Sequence, residues 1–250
     1  MKVRVLILAG GKGTRMGASV PKALVPICGK PIIDYILDAV KTSGVDPLPA
    51  LVVGHDLEGL RAHVGDRAEF VIQQEQKGTG HAVMVAQDQL KDADVVLVSY
   101  GDHPFYQAQT YQQILEKHLS THATITMLTT VLPDFADWKS LFLQWGRIVR
   151  TNTGEIIDIT EYALCSDEEK KITEVNNGMY CFNGEWLWNN IDQLRDDNAK
   201  KEFFLTDLIE LALQQKRIVE TVHCDPEQGI GVNTPAEVAI AECLVQDELL

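Results

Sequence analysis

The stretch that most constrains the fold lies near the start. An apolar run, Val3-Arg4-Val5-Leu6-Ile7-Leu8, breaks into Ala9-Gly10-Gly11-Lys12-Gly13-Thr14-Arg15-Met16. A run this short and this rich in branched residues, ended by glycine, reads as a buried strand opening an α/β sheet. Gly10, Gly11 and Gly13 let the backbone turn sharply and bring its amides against a bulky ligand with no Cβ in the way. That is the chemistry of a phosphate cradle.

Spacing excludes two common phosphate loops. The dinucleotide fingerprint G-x-G-x-x-G/A needs a small third residue, and after Gly11 and Gly13 that position is Met16. A P-loop, G-x-x-x-x-G-K-S/T, needs a hydroxyl residue after Lys12, where Gly13 stands, and a glycine where Leu6 stands. Charge still points to an anion. Residues 1–30 carry Lys2, Arg4, Lys12, Arg15, Lys22 and Lys30 and no acidic side chain, in a chain of formal net charge -14. Arg15 and Lys22 flank the glycine turn, which favours phosphate over a merely solvated basic face.

With 250 residues, 45% of them hydrophobic, the chain can bury a sizeable core and falls in the range of a single α/β domain. A pI near 4.8, with no basic run beyond the first loop, argues against nucleic acid or an anionic membrane as partner. The expected partner is a small anion. Cys28, Cys165, Cys181, Cys224 and Cys243 are widely spaced and form no C-x-x-C pair, so they read as reduced thiols of a cytoplasmic protein. No apolar stretch has the length of a membrane span or of a signal-peptide core.

Downstream, Ile32, Ile33, Ile36, Leu37 and Val40 predict a helix closed by Gly44. Strands are predicted at 50–53, 69–72, 94–99 and 123–129, with helices over 57–64, from about 82 to 90 and around 114–119. This alternation is that of a Rossmann-like, mainly parallel sheet with helices on both faces. Ligands of such sheets sit beyond the carboxyl ends of the strands, so the loops starting at residues 9, 73 and 100 should share one site. After 129 the pattern turns to short strands (146–149, 155–159, 175–182), a small β-rich half.

The pattern L-A-G-G-x-G-T-R-M followed by Pro21-Lys22 resembles the signature of the nucleotide-sugar pyrophosphorylases, which join a sugar 1-phosphate to a nucleoside triphosphate. Gln73-Gln74-Glu75-Gln76-Lys77-Gly78-Thr79-Gly80-His81-Ala82 resembles the uridine-reading loop of the branch acting on N-acetylglucosamine 1-phosphate. The match runs from Leu8 to about Glu242. It implies the nucleotide-diphospho-sugar transferase fold in one domain over 1–250, with a nucleotide-binding half (1–106), a sugar-binding half (107–233) and a C-terminal helix (234–250). By this resemblance Arg15 and Lys22 are catalytic, and Asp102 and Asn233 hold Mg2+. Leu8, Ala9, Gly10, Gly11, Gln73, Gly78 and Thr79 contact the nucleotide, and Tyr100, Gly101, Gly146, Glu161 and Asn176 the sugar.

Side-chain chemistry is compatible with these roles. The Gln73 amide offers a donor and an acceptor together, matching the edge of uracil, though thymine shows the same edge. Asp102, at the tip of an apolar strand and followed by His103-Pro104, suits a hard cation that relies on water and phosphate for its other ligands. Glu161 and Asn176 can accept from and donate to sugar hydroxyls. The implied partners are the two small substrates, with neither nucleic acid nor membrane, and the chain is expected as a monomer or small homo-oligomer. Another base or sugar (thymidylyl transfer; glucose, galactosamine or muramic-type acceptors) and a catalytically silent nucleotide-sugar sensor stay open. Related bifunctional enzymes add an acetyltransferase built of hexapeptide repeats; the seventeen residues after Asn233 hold no such repeat, so acetyl transfer is not expected.

Several positions call for separate comment. His103 stands where the family usually has an apolar residue and is expected to be exposed, while His81 is expected at a helix start. Between 132 and 145 the chain departs most from its relatives. There Trp138, Leu141, Phe142 and Trp145 fall at i, i+3, i+4 and i+7, predicting a two-turn helix with Asp137 as its cap. It reads either as a satellite helix sealing the sheet edge or as a lid over the sugar half with Trp145 as a pocket wall. Further on, Leu205, Leu208, Ile209, Ala212 and Leu213 line a buried helix face, and Thr234 to Glu237 form a capping box with Pro235 at the first helical position.

Overall fold

The computed structural model describes residues 1–11, 13–17, 20–54, 58–198 and 200–247. Lys12, Leu57 and residues 248–250 of the segments above lie outside the described residues. The elements run β1 (Val3–Leu8), β2 (Pro26–Ile27), β3 (Lys30–Pro31), α1 (Ile32–Ser43), β4 (Ala50–Val53), α2 (Glu58–Val64), β5 (Glu69–Ile72), α3 (Thr79–Met84), α4 (Gln87–Leu90) and β6 (Val95–Tyr100). They continue α5 (Ala108–Ser120), β7 (Ile125–Val131), β8 (Arg147–Arg150), β9 (Ile156–Thr160), β10 (Glu174–Asn183), α6 (Gly184–Asn190), α7 (Asp207–Gln214), β11 (Val219–His223) and α8 (Pro235–Gln246).

The main sheet has the order β11-β7-β10-β6-β1-β4-β5, with β8 and β9 attached beside β10. Along that path every neighbouring pair is parallel except those made by β10, which runs against both β6 and β7. The two-residue period of β1 divides the core. Val5 and Ile7 join α1, α2, α5 and α8 on one face, and Leu6 joins α3, α4, α6 and α7 on the other. All five apolar positions that predict α1 are buried, each contributing about 1.5–3 kcal/mol. The helix stops at Gly44, whose φ of 67° satisfies the left-handed cap. The Thr234–Glu237 capping box with Pro235 is also present, opening α8.

Segment 132–145 folds differently from its periodicity. A 3-10 helix spans Asp137–Phe142, and Asp137 lies inside it at φ 51° and caps nothing. Asp134 shapes the turn before it: its Oδ1 accepts the Ala136 amide at 2.9 Å and lies 3.1 Å from Lys139 Nζ. Phe142 is fully buried, with Trp138, Leu141 and Trp145 packed beside it, so the apolar stripe holds even though the α-helix does not. After it comes Arg147, a side chain with no solvent exposure between the rings of Phe135 and Tyr162. It donates to the carbonyls of Leu143 at 2.9 Å and Trp145 at 2.6 Å, closing the turn.

Candidate active site

The sheet brings the predicted loops to one edge. Leu8, the last residue of β1, pairs with both Val52 and Tyr100, while Val53 pairs with Ile72, so the chain leaves β1, β4, β5 and β6 on the same side. Antiparallel β10 begins there, with Asn176 three residues before Met179, which pairs with Ser99. The loop after β11 returns through Val232, whose amide donates to the Asp102 carbonyl at 2.8 Å.

At this edge four of the expected residues converge. Lys22 Nζ donates to Asp102 Oδ2 at 2.8 Å and to Asn233 Oδ1 at 2.7 Å, and Arg15 Nη2 reaches the same Asn233 oxygen at 3.2 Å. The positions lie up to 218 residues apart in sequence. Gly13 makes the approach possible: at φ 60° it turns under Lys22, and a Cβ on it would stand 2.8 Å from the Lys22 Cβ. Burial alone would raise the Asp102 carboxyl, but Lys22, through its charge and its hydrogen bond, together with His103 and the backbone, holds the group below the usual carboxylate range. The other described basic residues of this stretch serve elsewhere. Lys2 pairs with Asp92, Arg4 with Asp46 and Glu69, and Lys30 with Asp38, so the local positive charge at the loop is narrower than composition implies.

Asp102 and Asn233 present their oxygens to one cationic nitrogen, an arrangement that also fits a small divalent ion. Their donor set, one carboxylate and one neutral amide oxygen, suits magnesium, which keeps water and substrate phosphate as its other ligands. The described residues contain no group of three or more His, Cys, Asp and Glu side chains able to hold a metal.

The residues expected to contact the nucleotide frame the loop after β5. The Ala9 amide donates to Val52 and the Gly101 amide to the Leu8 carbonyl, both holding the glycine loop against the sheet, and the Gly10 carbonyl accepts from the Gln76 amide. Gly11 is exposed. Gln73 is buried, and its Nε2 contacts the Gly78 carbonyl at 3.3 Å and His81 Nδ1 at 3.0 Å, with Oε1 turned toward Gly10. His81 lies in the first turn of α3, as expected, and serves in addition as a partner of Gln73. Gly78 sits at φ 102° with its would-be Cβ 2.5 Å from the Phe203 carbonyl oxygen. The Leu205 amide donates to Thr79 Oγ1, so the segment before α7 clamps this loop. Gly78→Ala is therefore expected to destabilise by at least about 1–3 kcal/mol, read as a lower unfolding midpoint in urea. An unchanged midpoint would show that the loop relaxes freely.

Among the residues expected to contact the sugar, Asn176 Nδ2 donates to the Tyr180 hydroxyl at 2.7 Å and its backbone amide to the Gly146 carbonyl at 3.0 Å. Burial pushes the Tyr100 phenol up to about 12, with the Thr79 and Tyr180 hydroxyls against it. Glu161 is exposed, at the turn after β9, with its charge acting on Tyr100, Tyr180 and Asp207. Burial, and then the charges of Glu210, Asp197 and Glu161, raise Asp207 to about 6.

His103 is corrected outright. Its side chain is buried rather than exposed, stacked on Tyr106 with ring centres 5.3 Å apart and edge-on to Trp145 at 5.2 Å. An imidazole has the flat faces and ring nitrogens that such a pocket between aromatic rings and carbonyls satisfies. Burial lowers its pKa, with Asp102 acting in the opposite direction. His103, Tyr180 and Asp207 are the site features that sequence reasoning missed. The only signal for His103 was its departure from the family pattern.

With this geometry in place, comparison with known proteins is decisive. Residues 5–145 match the MobA-like NTP transferase domain. The chain belongs to that family. It is similar to the Bifunctional protein GlmU of Geobacillus (38% identical over 251 residues) and of Brevibacillus brevis (34% over 251 residues), in both cases across all of this chain and 53% of the relative. The chain thus spans about half the length of the curated relatives it matches. Among solved structures, a putative glucose-1-phosphate thymidylyltransferase from Bacillus anthracis has a TM-score of 0.77 at 20% identity, covering 98% of this chain and 96% of that one. Apo UDP-glucose pyrophosphorylase has a TM-score of 0.76 at 16% identity, covering 99% of this chain and all of that one. These likenesses establish the nucleotidyltransferase fold expected from the sequence. No helix of the described residues is long and apolar enough to cross a membrane.

Proposed function

We propose that this NTP transferase joins UTP to a sugar 1-phosphate, with N-acetylglucosamine 1-phosphate as preferred acceptor, giving a UDP-sugar and pyrophosphate. The observation that carries the reading is the meeting of Arg15, Lys22, Asp102 and Asn233 at the carboxyl edge of the sheet. Two cations for phosphate and two oxygens for a metal suit phosphoryl transfer and have no evident use in a passive sensor. In this reading residues 1–106 bind the nucleotide and 107–233 the sugar.

A sugar phosphate monoester has a second pKa near 6, so at neutral pH it is mostly a dianion and attacks the α-phosphorus without a general base. The protein's task is then positioning and charge. Arg15 stabilises the departing pyrophosphate, and Lys22 the charge accumulating between donor and acceptor phosphates. Magnesium held by Asp102 and Asn233 supplies further neutralisation of phosphate charge when bound. Gln73 reads the base through its amide, which requires it to exchange its contacts with Gly78 and His81 for the uracil edge. The deciding experiment is pyrophosphate release across a grid of nucleoside triphosphates and sugar 1-phosphates with magnesium. The reading expects the UTP and N-acetylglucosamine 1-phosphate pair to lead, and no release from any pair would overturn it.

Trp145 stands beside Gly146 and against His103, on the boundary between the sugar half and the metal ligands. We expect Trp145→Ala to change the ranking of sugar 1-phosphates by about tenfold or more while leaving the nucleotide preference intact. A uniform loss over all sugars, tracking a lowered melting temperature, would favour the packing role alone.

A further inference from the structure

We propose that His103 is itself a metal ligand, adding an imidazole nitrogen to Asp102 and Asn233, so that this site accepts nitrogen-binding divalent ions such as manganese or cobalt more readily, relative to magnesium, than the two oxygen ligands alone would. The inference rests on the placement of the ion at Asp102 and Asn233 and adds a donor to it.

The tautomer follows from the partners. His103 Nδ1 lies 3.1 Å from the Gly229 carbonyl oxygen, which can only accept, so Nδ1 carries the proton. It also lies 3.0 Å from the Tyr106 hydroxyl, which donates its own proton to the Asn177 carbonyl and therefore accepts from the ring. With Nδ1 protonated in the neutral ring, Nε2 bears the lone pair. A ring N–H anchored on a backbone carbonyl, with the other nitrogen free, is the usual state of a metal-ligating histidine.

That lone pair lies beside the Asp102 carboxylate. Nε2 lies 3.6 Å from Asp102 Oδ1, too far for a hydrogen bond, while the other carboxylate oxygen is held by Lys22. Two ligand atoms about 2.1 Å from one ion stand about 3.0 Å apart at a right angle and about 3.4 Å apart at a tetrahedral one, so a small shift brings both atoms onto a shared ion. The ring is held in place by its stacking on Tyr106 and by the edge of Trp145. Gly231 leaves its approach open: a Cβ there would stand 3.2 Å from Nε2 and 3.3 Å from the Trp145 ring. Imidazole raises affinity for manganese and, more strongly, cobalt, whereas magnesium gains little from nitrogen.

The test uses the full chain with Mn2+ alone as probe, followed by calorimetric competition with Mg2+ and Co2+. Wild type should bind Mn2+ and show nitrogen coupling from a histidine in pulsed electron paramagnetic resonance. In both His103→Val and His103→Gln the coupling should vanish, and the Co2+ over Mg2+ preference should fall by on the order of tenfold. Their melting temperatures show whether each variant is folded, and the wild-type spectrum is decisive without either. Mn2+ bound without nitrogen coupling, or coupling that survives in a folded His103 variant, would overturn the inference while leaving the Asp102 site standing. Mn2+ binding that persists unchanged in Asp102→Ala would overturn the placement of the ion, and the inference with it.

Discussion

Replacing Lys22 by alanine is expected to lower turnover by about 10² to 10³, the size of effect seen when one preorganised donor to a developing charge is lost. The side chain joins Asp102 to Asn233 through a single nitrogen, so its removal takes away the cation proposed to lie between the reacting phosphates and also leaves the Asp102 charge without its Lys22 partner. Single-turnover kinetics at saturating substrates would isolate the first effect. The second has a pH signature. Lys22 helps hold the folded-state pKa of Asp102 below its unfolded value, so the pair adds stability above the ordinary carboxylate range that is lost as pH falls through the depressed pKa. Wild type and variant should therefore differ in melting temperature near neutral pH and converge in acid. Turnover of Lys22→Ala within a few-fold of the parent would remove Lys22 from the mechanism. Arginine should rescue poorly, because its planar fork does not reproduce a compact ammonium packed over Gly13.

The second large effect is expected at Asp102. Asp102→Ala removes the only carboxylate in the proposed ligand pair and frees Lys22 from its partner, so activity at ordinary magnesium should be abolished and partly restored in excess. Recovery is expected because the substrate phosphates carry much of the metal's coordination. Titrating magnesium against initial rate for both proteins measures this directly, as a displaced half-activation point rather than a lower plateau alone. Wild-type activity undiminished by excess chelator would sink the metal reading. It would leave the role of Lys22 untouched, so the two experiments fail independently.

The sequence by itself determined the framework of this protein. The β-branched run before Gly10, the α1 stripe closed by Gly44 and the Thr234 capping box are local patterns, set by periodicity and backbone sterics within a few residues, and each appears in the structure. The order of strands and helices then brings the expected loops to one sheet edge, because parallel strands all end on the same side. Tertiary structure alone decided which charges do what. Composition counts Lys2, Arg4 and Lys30 with Arg15 and Lys22 in one basic segment, yet the first three are neutralised in the fold, Lys2 by Asp92, Arg4 by Asp46 and Glu69, and Lys30 by Asp38. It also decided that Asp134, rather than Asp137, would shape the turn before segment 137–142, and that a buried Arg147 would hold the turn after it by its carbonyls. His103 is the clearest case. Nothing within ten residues of it gives the Gly229 carbonyl that fixes its proton or the Trp145 edge that buries it, since both come from loops that meet it only once the sheet has closed.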